Sequence, residues 1–195
     1  MQCRHWLGTL LACCALAATS HARADPDIWQ FDPAQSHAEF SIRVMWLIPL
    51  HGRFSELHGT INIDRFRSTA RVEALIDVGE VHMRSKGDEA WVKSAEFFDA
   101  QHFPQIQFVS DSFSLARLEK GGAVAGLLTM RGVARRAEFE IEPSNCAAQL
   151  AHDCPVEASG TIRRSDFDMR SRRGVLSDKV DLDFSIRVLP AAAAP

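Results

Sequence analysis

The sequence predicts an all-β, antiparallel fold, a barrel or a sandwich, and three observations predict it. Apolar residues recur at every second position through most of the chain. Short clusters of turn-forming residues separate these stretches. No strand–helix–strand rhythm appears that would build a parallel sheet.

The first 24 residues stand apart from that pattern. Arg4 and His5 give a short positive start, an apolar stretch runs from Trp6 to Ala18, and Ala22-Arg23-Ala24 offers a small-residue cleavage site before Asp25. Together these read as a secretory signal peptide (1–24), so the mature chain is expected to be exported. A rival lies within the same segment: Leu10-Leu11-Ala12-Cys13 resembles a lipoprotein box that would lipidate Cys13. Removing 1–24 takes away Arg4 and Arg23, so 20 Lys+Arg face 25 Asp+Glu, a net charge of −5. That balance argues against nucleic acid, which needs a basic footprint. It also argues against simple electrostatic adhesion of the whole molecule to anionic lipid. The mature chain reads as one domain, 25–190, with a patternless tail at 191–195.

The strands come in order. In Glu39-Phe40-Ser41-Ile42-Arg43-Val44-Met45-Trp46 the even positions are apolar, the signature of a strand with one dry face. Leu57, Gly59, Ile61 and Ile63 repeat it, as do Ala70, Val72, Ala74 and Ile76. Shorter pieces carry Ile106 and Phe108, then Phe113 and Leu115, then Val124, Gly126 and Leu128, then Phe139 and Ile141, then Ala158, Gly160 and Ile162. The clearest alternation is the last, Val180, Leu182, Phe184, Ile186 and Val188. Turn signals fall at Pro49-Leu50-His51-Gly52, Lys120-Gly121-Gly122, Arg131-Gly132 and Pro143-Ser144-Asn145.

Residues 88–103 break the alternation. Ser94 can cap a short helix beginning at Ala95, and Pro104 ends the segment. Trp91, Phe97, Phe98 and Phe103 make it apolar enough to pack over a barrel opening or against a sheet edge. Past the leader two cysteines remain, Cys146 and Cys154, and an even pair in an exported protein suggests a disulfide. Two free thiols are the alternative; a metal site there would have only His152 and Asp153 to add.

The chain resembles the YceI-like family from Trp29 to about Val188. The resemblance is carried by Trp29-Gln-Phe-Asp-Pro33, Ser36-His37, Phe40-Ser-Ile-Arg43, Gly52-Arg-Phe54 and Gly59-Thr-Ile61. Its most specific stretch is Lys93-Ser-Ala-Glu-Phe-Phe-Asp99, then Phe103-Pro-Gln-Ile-Gln-Phe108 and Ser110. Gly126-Leu-Leu-Thr-Met-Arg-Gly132, Ile162-Arg-Arg-Ser-Asp-Phe167 and Val180-Asp-Leu-Asp-Phe184 complete it. The resemblance implies a lipocalin-like antiparallel β-barrel of about eight strands, with a helix-containing excursion near 88–104. It also implies a hydrophobic cavity for a polyisoprenoid, such as a quinone or polyprenyl tail.

Candidate wall residues for such a ligand are Phe40, Ile42, Val44, Trp46, Ile162 and Phe184, with Trp91, Phe97 and Phe98 from the excursion; apart from the resemblance, each reads as ordinary core. Gly59, Gly126 and Gly160 fall on inward faces, where they either leave room for a chain or mark strand bends. The chain departs from the family at Val44 and Trp91, where histidines are usual, and at Asp168, where glycine is usual.

The expected function is therefore a binding or carrier protein for a long amphiphile, without catalytic residues, metal or cofactor other than a bound isoprenoid or quinone-like ligand. The alternative is a non-catalytic accessory module with a filled barrel, serving a membrane redox partner of the cytochrome b561 type that is associated with some relatives. A homodimer is compatible with exposed strand edges. No H-E-x-x-H, C-x-x-C or G-x-S-x-G occurs. His51 and His58, seven residues apart, would face opposite sides of an unbroken strand. Ser36 and His37 are adjacent and read as structural, as does Asp166 near Arg163 and Arg164. Arg170, Arg172 and Arg173 form a small basic loop.

Overall fold

The computed structural model describes residues 27–144, 154–172 and 174–189. The leader 1–24, Cys146 of the expected disulfide, Arg173 and the tail 191–195 lie outside the described residues.

The alternating sequence folds as strands throughout. They are β1 (Asp27–Gln30), β2 (His37–Val44), β3 (Ile48–Phe54), β4 (Leu57–Asp64), β5 (Thr69–Asp77), β6 (Val81–Met83), β7 (Gln105–Ser110), β8 (Phe113–Ser114), β9 (Gly122–Met130), β10 (Val133–Ile141), β11 (Val156–Arg163) and β12 (Leu176–Ile186). All pairings are antiparallel. They form one curled sheet in the order β1-β4-β5-β7-β9-β10-β11-β12-β2-β3-β6, with β8 beside β5. The count exceeds the expected eight because β1 and β6 are too short to show periodicity and the turn-forming residues at Pro49–Gly52 mask β3.

Curling is completed by a junction between the two ends of the domain. Phe31 bridges Val188. The Asp32 N–H donates to the Arg187 carbonyl (2.8 Å), and the Leu189 N–H to the Gln30 carbonyl (2.8 Å). Ser36 locks the junction from both sides: its hydroxyl donates to the Arg187 carbonyl and accepts from the Arg187 N–H, each at 3.0 Å. Ser36 is fully buried, and this explains a hydroxyl in the core.

The inward face is the predicted one. Ala38, Phe40 and Ile42 of β2 are buried and alternate with more exposed neighbours, and Val180 of β12 joins the same core. Two local expectations fail. Pro49-Leu50-His51-Gly52 lies within β3 and is not a turn. Pro49 is tolerated because β3 meets β6 only through Gly52, Arg53 and Phe54, so at Pro49 no second neighbour needs a donor. The turn sits earlier, at Met45-Trp46-Leu47.

The second correction concerns the helix. It is α1 (Lys86–Lys93), capped by Ser85, whose Oγ accepts from the Gly87 and Asp88 N–H groups at 3.1 and 3.4 Å. Asp88 and Glu89 in its first turn complement the helix dipole. Ser94 ends this helix instead of starting one. Its hydroxyl donates back to the Trp91 carbonyl (2.7 Å). Residues 95–104 are turns, closed by bonds such as Asp99 N–H to the Ser94 carbonyl (2.8 Å). A second short helix, α2 (Arg117–Lys120), precedes β9.

Candidate functional site

The curled sheet encloses a cavity of about 110 Å³ to which no polar atom is exposed. Five of the nine predicted site residues line it: Phe40 from β2, Phe97 and Phe98 from the turns after α1, Ile162 from β11 and Phe184 from β12. The other four do not. Ile42 is buried in the core beside it. Val44 is half-buried at the end of β2, paired with Ile48 and Leu176. Trp46 lies outside, because the strand ends at Val44 and the alternation that pointed Trp46 inward stops with it. Trp91 sits on the outer side of the excursion. It packs on Phe97 at 5.2 Å, donates from Nε1 to Glu96 (3.0 Å), and carries the Arg172 guanidinium 4.9 Å above its ring.

Sequence reasoning missed several lining residues. Phe108 and Phe139 carry the alternation but are not among the candidate wall residues. Phe54, Met130 and Met169 complete the wall near the excursion, and Leu118 of α2 closes the far end. Leu118 sits in a stretch without periodicity, so no pattern marked it.

Two aromatic clusters occupy the interior. Phe40, Phe54, Phe97 and Phe98 meet edge to face or tilted, with centroids 4.8–5.9 Å apart. Phe139 touches Phe108 at 5.0 Å and Phe184 at 5.1 Å. The inward glycines serve these rings. A Cβ on Gly126 would come within 2.6 Å of Phe108, on Gly160 within 2.4 Å of Phe139, and on Gly59 within 2.7 Å of Phe31. The space they leave is thus taken by phenylalanine and is not open to a chain.

The segment 94–104 covers one end of the barrel and is held by polar contacts. The Phe98 N–H donates to the Val92 carbonyl (2.9 Å). Arg131 Nη1 donates to the Phe97 carbonyl (2.8 Å), and the Ser171 hydroxyl to the Glu96 carbonyl (2.7 Å). The loop carrying Ser171 is itself organised by Arg164, which is fully buried. Its guanidinium donates to the carbonyls of Ser177 (2.9 Å), Met169 (2.6 Å), Ser171 (2.8 Å) and Leu176 (3.4 Å).

The titratable groups with displaced affinities stand outside the cavity. Arg67 holds Asp64 below the usual carboxylate range, Arg136 does so for Asp111, and Lys179 for Asp181. Lys86 and then the Met83 N–H do the same for Glu89 beside α1. Among the described residues no group of three or more His, Cys, Asp or Glu is placed to hold a metal. What the site can do chemically is exclude water and hold an apolar body.

A family model for the YceI-like domain matches residues 29–188. The chain belongs to the YceI-like family. It is 27% identical to Protein YceI of Escherichia coli over 188 residues, covering 92% of this chain and 94% of that one. Among solved structures, BcnA of Burkholderia cenocepacia superposes with a TM-score of 0.69 at 23% identity, over 82% of this chain and 99% of that one. A polyisoprenoid-binding domain from Saccharophagus degradans superposes at 0.59 and 14% identity, covering 81% and 95%. These two likenesses speak for the fold.

Proposed function

We propose that this YceI-like protein binds a polyisoprenoid or similar long amphiphile, of quinone or polyprenyl type, by burying its tail in the barrel, and that it works in the periplasm after cleavage near Ala24. The observation that carries this reading is a cavity to which no polar atom is exposed, lined from Phe97 and Phe98 at the covered end to Leu118 at the other. An isoprenoid asks for nothing else, since each CH₂ taken from water contributes about 0.8 kcal/mol.

The volume sets a condition. Apolar cavities of roughly 150 Å³ hold a benzene-sized guest, and this one is about 110 Å³. A long tail therefore enters only if Phe97 and Phe98 swing away with the cover, so loading is coupled to opening at 94–104. The same small volume supports a second reading, a non-catalytic module with a filled barrel that serves a membrane redox partner.

Native mass spectrometry of protein recovered after export, with extraction and identification of bound lipid, separates the two. Carriage predicts a mass adduct released by organic solvent. Protein that never carries nor accepts an apolar ligand sinks the carrier reading and leaves the filled module.

A further inference from the structure

The β2–β3 turn presents a projecting apolar tip that the cavity does not use. Met45, Trp46, Leu47 and Ile48 are 64%, 65%, 84% and 63% exposed. The Met45 N–H donates to the Val175 carbonyl, 2.6 Å away, which brings a further exposed apolar side chain, Val175, alongside. Four consecutive large apolar residues in water are unusual for a turn, where polar and small residues prevail.

The backbone makes their presence harder to dismiss. The Leu47 N–H closes the turn onto the Val44 carbonyl (3.1 Å), and both central residues are left-handed, Met45 at φ 49° and Trp46 at φ 65°. Positive φ at both central positions is the primed-turn arrangement that favours Asn-Gly. Methionine and tryptophan hold it against their own backbone preference, so turn chemistry does not account for them.

Three exposed arginines lie beside the tip although the chain as a whole is acidic. Arg43 is exposed on β2 two residues before the tip. Arg170 and Arg172 are exposed on the loop that carries Val175, whose N–H donates to the Arg172 carbonyl (2.9 Å). Arg170 faces Asp168 at 3.3 Å and Arg172 faces Glu96 at 3.6 Å. All four side chains are more than half exposed, and such surface pairs exchange readily for another anion.

We infer that the Met45–Ile48 tip, with Arg43, Arg170 and Arg172, is a docking element for an anionic phospholipid surface. The tip is convex, which suits insertion between headgroups. Tryptophan belongs at that depth, with its ring in the acyl boundary and its N–H toward water, and the arginines meet lipid phosphates. The same loop holds the cover, through Ser171 on Glu96, and Arg131 links Phe97 with the Asp168 carbonyl (3.5 Å). Docking therefore sets the covered end of the barrel against the bilayer. The inference does not rest on what the cavity carries.

The test is vesicle binding by identically prepared wild type and variants, so that any contribution of the N-terminal segment is common to all. Phosphatidylglycerol–phosphatidylcholine vesicles are compared with phosphatidylcholine alone. The combined Trp46→Ser and Leu47→Asp variant is expected to lower partitioning by about tenfold or more. Arg170→Gln with Arg172→Gln is expected to abolish the preference for anionic vesicles. Phe66→Ser, which alters a 97% exposed ring at the opposite end of the strands, should bind as wild type. Brominated lipids should quench wild-type fluorescence and quench Trp46→Phe much less, a readout that needs no disruptive substitution. Undiminished binding by the Trp46/Leu47 variant, or no wild-type binding to either vesicle, overturns the proposal. Self-association without vesicles that the same substitutions abolish assigns the tip to a second copy and overturns it too.

Discussion

The two aromatic clusters inside this barrel share a chemistry, but two rings of one, Phe97 and Phe98, are carried off the sheet. Phe108, Phe139 and Phe184 stand on β7, β10 and β12, and Phe108 and Phe139 each seat over a glycine of the next strand. Moving them means unpairing a ladder. Phe97 and Phe98 stand on turns after α1, held by a helix cap, one arginine and one serine hydroxyl. Those contacts can open while every strand stays paired. The same side chain thus builds a fixed wall on the sheet and a removable one on the excursion, and the free energy of local opening differs accordingly.

The largest effect on this contrast should come from Arg164→Met, which orphans buried carbonyls and frees the loop anchoring the cover. Each carbonyl left buried without a donor costs about 1–3 kcal/mol, so a loss of about 3–5 kcal/mol is expected by urea denaturation. A loss below about 1 kcal/mol would mean that the covered end has another anchor. Next is Gly126→Ala on the fixed side. Its Cβ would lie 2.5 Å from the Val109 carbonyl oxygen and 2.6 Å from the Phe108 ring. Overpacking of this kind costs about 1–3 kcal/mol, and it should lower the global midpoint because nothing on the sheet can give way locally.

Ser85→Ala removes the α1 cap, worth about 1 kcal/mol. Hydrogen exchange should quicken across 86–103 with β7, β9 and β10 unchanged. Equal quickening in the strands would erase the distinction between the two walls. The smallest effect is the acid response of Glu89, whose carboxyl is held low by Lys86 and the Met83 N–H. Because its folded-state affinity for protons is reduced, its stabilisation is present above the ordinary carboxylate range. It is lost as pH falls from the ordinary carboxylate range through that lowered value. A Glu89→Gln variant should show a flatter acid limb of the melting profile. An identical limb would remove Glu89 from the account.

Legibility tracked length and regularity. Phe40, Ile162 and Phe184 were readable as wall because each lies in a strand whose pattern runs long enough to set its face. Phe97 and Phe98 were readable only as residues too apolar to be free. Trp46 was misplaced because alternation says nothing about where a strand stops, and the left-handed pair at Met45 and Trp46 has no compositional mark. The helix was placed one segment late because both Ser85 and Ser94 are plausible caps by residue type. Their hydroxyl bonds separate them: Ser85 accepts from the first turn of α1, and Ser94 donates to the carbonyl of Trp91 in its last.

By itself the sequence determined the longer strands, their inward faces, their antiparallel pairing and the apolar character of the interior, since these arise from residue-to-residue periodicity. Tertiary structure decided how much of that interior is empty. Whether a glycine leaves space for a guest or for Phe108 and Phe139 depends on which ring the register sets opposite it. Likewise, four carbonyls from residues 169–177 converge on Arg164 only once the chain has folded around it.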